Sequence, residues 1–165
     1  MTDEVDEVDR IVAAWLRERP DLDVEPLRVL SRVSRLARHL DLARRTAFER
    51  HALELWEFDV LAALRRAGEP YQLSPGALVT QTLVTSGTMT NRIDRLEAGG
   101  LVERRPAPDD RRGVLVRLTA TGRTRVDAAL EDLLEVERGL LAALETSERA
   151  QLAALLRVVV APFDA

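Results

Sequence analysis

Between Thr85 and Glu97 the chain places Ser86, Thr88, Thr90, Asn91 and Arg95 so that, wound as a helix, they project from one side. Met89, Ile93 and Leu96 fall on the other. Hydroxyl, carboxamide and guanidinium groups are the donors and acceptors that read base edges, and a major groove about 12 Å wide admits such a helix. Further on, Asp109-Asp110-Arg111-Arg112 puts two guanidinium groups at the tip of a turn-rich run, suited to phosphate or a minor groove. Singly, each group has a plainer use. Ser86, Thr88 and Thr90 can cap or fill a helix surface, and Arg111 and Arg112 can pair with neighbouring acids in a solvated turn. Their joint placement points to double-stranded DNA.

The elements that must carry these residues can be read from punctuation and periodicity. Ser74-Pro75 is a helix start, with Ser74 as cap and Pro75 in the first turn, and Ser74 joins the candidate DNA contacts. That short helix ends near Thr82. After a tight turn at Leu83-Val84, Thr85 or Ser86 caps the next helix, which closes at Gly99-Gly100. The period then changes. Leu101–Arg105 and Val114–Leu118 are short and rich in branched residues, and they flank the turn-like run from Pro106 to Gly113, which together spell a β-hairpin. Helix, turn, helix and hairpin in this order match a winged helix-turn-helix.

Helical segments surround it. Val8 to Arg19 is amphipathic through Val8, Ile11, Val12, Trp15 and Leu16 and stops at Pro20. A long helix starts near Pro26 and runs as far as about Leu53, with Arg28, Arg32, Arg35 and Arg38 on its flank, and a third spans Trp56 to Ala67. Thr121 restarts a helix after the hairpin, and a last one follows Thr146-Ser147-Glu148 with Ser147 as its cap. The fold class expected is mainly α with a small β-hairpin wing, a winged helix-turn-helix plus a helical dimerisation region. The segments are 1–53, 54–120 and 121–165. The leucines and valines of the terminal helices exceed what a small winged module needs, so they pack either against a second copy or within one bundle.

Charge is distributed unevenly. The net charge is −4, yet residues 28–50 carry seven arginines against two acids and residues 84–125 nine against five. Local asymmetry of this kind, more than the total, decides whether a surface meets phosphate. Cysteine and lysine are both absent, which excludes disulfides, thiolate chemistry, Schiff bases and a P-loop. No GxGxxG or GxSxG occurs, and His39 and His51 have no partners at metal spacing, so no enzyme activity, cofactor or metal is expected. If the long helix crossed a symmetry mate, protonation of these histidines would weaken DNA binding at low pH. The acidic start and the lack of a long apolar run lead to the expectation of a cytoplasmic protein without membrane association.

Residues 54–125 resemble the MarR family of bacterial transcriptional regulators. The matching residues are Leu73-Ser74-Pro75, Thr85 through Glu97, Gly100-Leu101-Val102, Arg104-Arg105, Asp109-Asp110-Arg111-Arg112, Leu118-Thr119 and Gly122. The resemblance implies an obligate homodimer with two winged domains on a pseudopalindromic operator. The run Trp15–Asp21 and the later Trp56–Leu61 further resemble the urate-responsive members of the family. There the resemblance implies a ligand site at Trp15, Asp59, Arg92 and Arg104. A planar anion such as urate, a related purine or a carboxylate can stack on an indole and pair with guanidinium groups. Each residue also has a structural reading: Trp15 in a dimer core, Asp59 at a helix N-terminus, Arg92 on phosphate and Arg104 in a wing ion pair. The function expected is a ligand-released repressor. Its alternatives are a ligand-independent repressor and a winged-helix protein-interaction module.

Overall fold

A computed structural model describes residues 5–108 and 110–163. The elements are helix α1 (Glu7–Glu18), α2 (Glu25–Glu49), α3 (Leu55–Arg66), strand β1 (Gln72–Leu73), α4 (Pro75–Thr82), α5 (Ser86–Ala98), β2 (Val102–Ala107), β3 (Asp110–Leu118), α6 (Ala120–Leu140) and α7 (Thr146–Val160). A short 3-10 turn, Ala161–Phe163, follows. The chain is predominantly helical with one small antiparallel sheet, and it divides into two compact units at Arg44/Arg45.

The first unit holds α1 and most of α2. Asp6 caps α1 by accepting from the Asp9 N–H at 2.9 Å, and Asp9 reciprocates to the Asp6 N–H at 3.2 Å. Val8, Val12 and Val24 make a small core against which Leu27 packs. The same two acids receive the Arg32 guanidinium, Asp6 at 2.8 Å and Asp9 at 2.9 Å. The acidic start and part of the basic block thus neutralise one another. Trp15 and Leu16, on the same helix, each remain 46% exposed.

The second unit is built around one core. Phe48, from the last turn of α2, stacks on Phe58 of α3 with ring centroids 4.1 Å apart. Val60, Leu61 and Leu64 of α3, Leu78 of α4, and Met89, Ile93 and Leu96 of α5 complete the helical side. Val102, Val116 and Leu118 bring in the sheet, and Val126, Ala129 and Leu133 bring in α6. Strand order is β1-β3-β2, with Gln72 opposite Arg117 and Val102 opposite Leu118. The Thr119 hydroxyl caps α6 by accepting from the Gly122 N–H at 3.0 Å and also reaches the Gly100 carbonyl at 2.8 Å. A side chain at Gly122 would collide with the Leu101 carbonyl, so glycine is required there by close approach.

Several local expectations are corrected. The long helix ends at Glu49 rather than near Leu53, because Ala52 takes a left-handed turn conformation at φ 51°. His51 therefore lies beyond the helix, with its Nε2 3.0 Å from the Asp132 carboxylate. The last helix is capped at Glu145, whose N–H donates to the Glu148 carboxylate at 2.8 Å, so Ser147 lies inside the first turn. The hairpin is longer than its composition implies. Pairing continues through Pro106 opposite Val114 to Ala107 opposite Asp110, with a register shift between Pro106 and Ala107.

Candidate nucleic-acid interface

Two caps fix the starts of α4 and α5. Ser74 Oγ accepts from the Ala77 N–H at 3.2 Å with Pro75 at the helix start, and Thr85 Oγ1 accepts from the Thr88 N–H at 3.3 Å. Between them Leu83 turns the chain in the left-handed region, φ 53°. The side chains of α5 divide as its periodicity requires. Met89, Ile93 and Leu96 are fully buried, while Ser86, Thr88, Thr90, Asn91 and Arg95 are exposed. Thr90 bonds back to the Ser86 carbonyl at 3.1 Å, and the Thr85 and Thr88 hydroxyls are 2.9 Å apart, so these hydroxyls also serve locally. No acidic residue occupies the first turn of α5, which leaves the positive end of its dipole facing solvent and suited to phosphate.

Arginines on α5 are held by residues outside it. Arg95 donates to the Glu54 carboxylate at 2.6 Å, and its guanidinium carbon lies 4.7 Å from the centre of the Trp56 ring. Arg92 lies over the same ring at 5.4 Å. The second carboxylate oxygen of Glu54 accepts from Trp56 Nε1 at 2.7 Å. The indole N–H, and then Arg95, hold the Glu54 carboxyl below its ordinary range. Trp56, Gly87, Thr88, Asn91, Arg92 and Arg95 line a recess of about 450 Å³.

The wing is tied to α5 by Arg104 on β2. Its guanidinium bonds to both Asp94 and Glu97, and its backbone N–H donates to Glu97 Oε1 at 3.0 Å. The Asp94 hydrogen bond raises the Arg104 pKa, with burial opposing it. The ion-pair reading of Arg104 thus describes its geometry in this structure. The backbones of Arg111 and Arg112 belong to β3 rather than to an open loop, and their side chains lie outside the described residues.

The four expected ligand residues occupy different surroundings. Trp15 lines an apolar pocket of about 400 Å³ in the first unit with Leu22, Pro26 and Leu27. Asp59 lines another of about 220 Å³ with Arg66, Gln81, Thr82 and Leu83. Arg92 faces Trp56, and Arg104 faces Asp94 and Glu97. Among the described residues no cluster of three or more His, Cys, Asp or Glu has metal-binding geometry, and no helix is long and apolar enough to cross a membrane.

Glu54 and Trp56, which meet the arginines of α5, are not among the site residues expected from the sequence. The signal available was the spacing of Arg92 and Arg95 on one helix face, which calls for a counter-charge or an aromatic surface without saying where in the chain it lies.

Residues 51–113 match the profile of the MarR family. The chain is 41% identical to the HTH-type transcriptional regulator PecS of Dickeya dadantii over 150 residues, covering 91% of this chain and 90% of PecS. Among solved structures, a mutant of E. coli MarR complexed with operator DNA is 28% identical with a TM-score of 0.70, covering 84% of this chain and 99% of that one. Bordetella bronchiseptica BpsR, whose DNA binding is regulated by 6-hydroxynicotinic acid, is 30% identical with a TM-score of 0.60, covering 78% of this chain and 98% of BpsR. These likenesses extend well beyond the winged segment, and the chain belongs to the MarR family of DNA-binding transcriptional regulators.

Proposed function

We propose that this regulator is a homodimeric repressor that reads a pseudopalindromic operator and is released by a small planar anion. The observation that carries the reading is the division of α5, whose apolar face is buried while Ser86, Thr88, Thr90, Asn91 and Arg95 stay in solvent. Ser74, at the start of α4, and Arg111 and Arg112 of the wing are the accompanying backbone contacts. Dimerisation is supported by the terminal helices. Helix α7 buries no residue, and Leu155 and Val158 are 67% and 74% exposed. Covering apolar surface at ~25 cal/mol per Å² favours a second copy, and a two-fold dimer suits two half-sites roughly 34 Å apart.

The ligand we favour is urate or a related purine or aromatic carboxylate, with Trp15, Asp59, Arg92 and Arg104 governing the response. Support comes from BpsR, which answers to a flat heteroaromatic acid, and from the Arg104 tie to Asp94 and Glu97. A carboxylate or urate oxyanion competing for Arg104 would weaken the link between wing and α5. Release requires the ligand to bind the DNA-free conformation more tightly, by ~1–3 kcal/mol for a typical coupling.

The test is a gel-shift titration on duplex DNA from the region upstream of the gene that encodes this chain. We expect binding without ligand, release by urate, and a blunted release in Arg104→Ala and Trp15→Ala proteins that still bind. Urate that neither releases DNA nor raises the melting temperature would count against this ligand class. Failure to bind any DNA would favour an interaction module instead.

A further inference from the structure

The cluster at the start of α3 has no assigned role in DNA reading, although its residues touch the reading helix. Glu54 spends one carboxylate oxygen on the Trp56 indole N–H at 2.7 Å and the other on Arg95 at 2.6 Å. The indole, half-buried against the core, has the guanidinium groups of both Arg92 and Arg95 over its ring, at 5.4 and 4.7 Å. These two cations sit three residues apart on α5, where like charges repel. An aromatic face attracts both, and Glu54 cancels one of them. Among the described residues Arg92 has no ion-pair partner, whereas Arg95 has Glu54. The recess shared by Trp56 with Thr88 and Asn91 places the indole beside the base-reading side chains.

We propose that Trp56 and Glu54 are positioning residues for DNA recognition: together they hold Arg95 against α3 as a neutralised brace and present Arg92 as the cation of that face for the operator phosphate. The inference rests on the DNA-reading assignment of α5. It changes the division of labour on that helix, because Arg95 then shapes the surface while Arg92 supplies the phosphate contact. Removing the Glu54 charge while keeping its shape frees a second cation, so DNA binding becomes less selective and more salt-sensitive. Removing the aromatic face leaves both guanidinium groups mobile.

The experiment compares full-length wild type with Trp56→Phe, Trp56→Leu and Glu54→Gln by fluorescence anisotropy. Labelled operator and a scrambled duplex are used over a series of salt concentrations, with melting temperatures measured alongside. Trp56→Leu is expected to bind operator about five- to tenfold more weakly, and Trp56→Phe to retain most of the affinity, because phenyl keeps the aromatic face that leucine lacks. Glu54→Gln is expected to bind the scrambled duplex more tightly and to steepen the slope of log K against log salt by about 0.9, one additional phosphate contact. A role confined to stability would move the melting temperatures and leave that slope unchanged. Trp56→Leu binding like Trp56→Phe, or an unchanged Glu54→Gln slope, overturns the proposal. If Trp56→Leu does not fold, the exposed Glu54→Gln site decides the matter alone. Wild type that binds neither duplex counts against the DNA-reading assignment itself, a result distinct from variants that bind as wild type does.

Discussion

The winged segment and the C-terminal helix α7 present opposite solutions to the same problem of apolar surface. From α3 to β3 the core closes with help from Phe48 of α2 and Val126, Ala129 and Leu133 of α6, and Leu61, Leu64, Leu78, Met89, Leu96 and Val116 are all fully buried. Helix α7 carries a comparable supply of leucine and valine yet buries none of it. In one region apolar residues specify a fold that a single chain completes. In the other they remain exposed, and the spacing alone does not distinguish the two outcomes. The winged segment is finished in one copy, whereas α7 is half of an interface in the homodimer proposed above.

The largest expected effect tests the self-sufficient side. Met89→Ala leaves a cavity beneath the reading helix and should cost about 2–5 kcal/mol, read by urea denaturation. A loss below 1 kcal/mol would mean that this core is looser than its burial indicates. On the other side, Leu155→Asp with Val158→Asp should leave the fold intact while splitting the dimer in sedimentation. Operator affinity should then fall by about two orders of magnitude, since the second half-site no longer adds avidity. Intact dimers would remove the contrast between the two regions.

A smaller effect separates phosphate contacts from core. Arg111→Ala and Arg112→Ala should each weaken binding to all sequences alike and flatten the salt slope by about 1. Unequal losses across operator variants would instead make these arginines base readers. The smallest effect concerns the first unit. The Asp9 N–H, followed by Arg32, holds the Asp6 carboxyl below its ordinary range. A depressed carboxylate stabilises the folded state above its unfolded pKa, about 4, and loses that contribution as pH falls through the folded value. Circular dichroism should therefore show α1 weakening only below about pH 4, and Asp6→Asn should shrink that pH dependence. An identical acid profile in both proteins would place the sensitivity elsewhere.

Periodicity made the helices and the faces of α5 legible, because a buried Met89, Ile93, Leu96 stripe repeats at helical spacing. The cap at Ser74 was legible for the same local reason. Strand β1 was not: two residues, Gln72 and Leu73, show no alternation, and they become a strand only because Arg117 and Val116 lie opposite. The wing tip read as a turn because Pro, Asp and Gly dominate it, whereas antiparallel pairing carries the strands past that composition. Glu145 won the last cap from Ser147 through its reciprocal partner Glu148. At the site, the exposed donors of α5 could be read directly. The meeting of Trp56, Glu54 and Arg95 could not, since it joins side chains up to 41 residues apart at the start of α3 and on α5, and neither could the choice of Asp94 and Glu97 as partners of Arg104.

The central claim is that two copies of this chain read DNA together through α5, and selection from a random duplex library tests it most directly. The expected result is enrichment of an inverted repeat with half-site centres one helical turn apart, about 10–10.5 base pairs, bound by two chains per duplex. Exchange of Asn91 for Ala should relax preference at one symmetric pair of positions. Recovery of a single half-site bound by one chain, or of no preferred sequence at all, would contradict it.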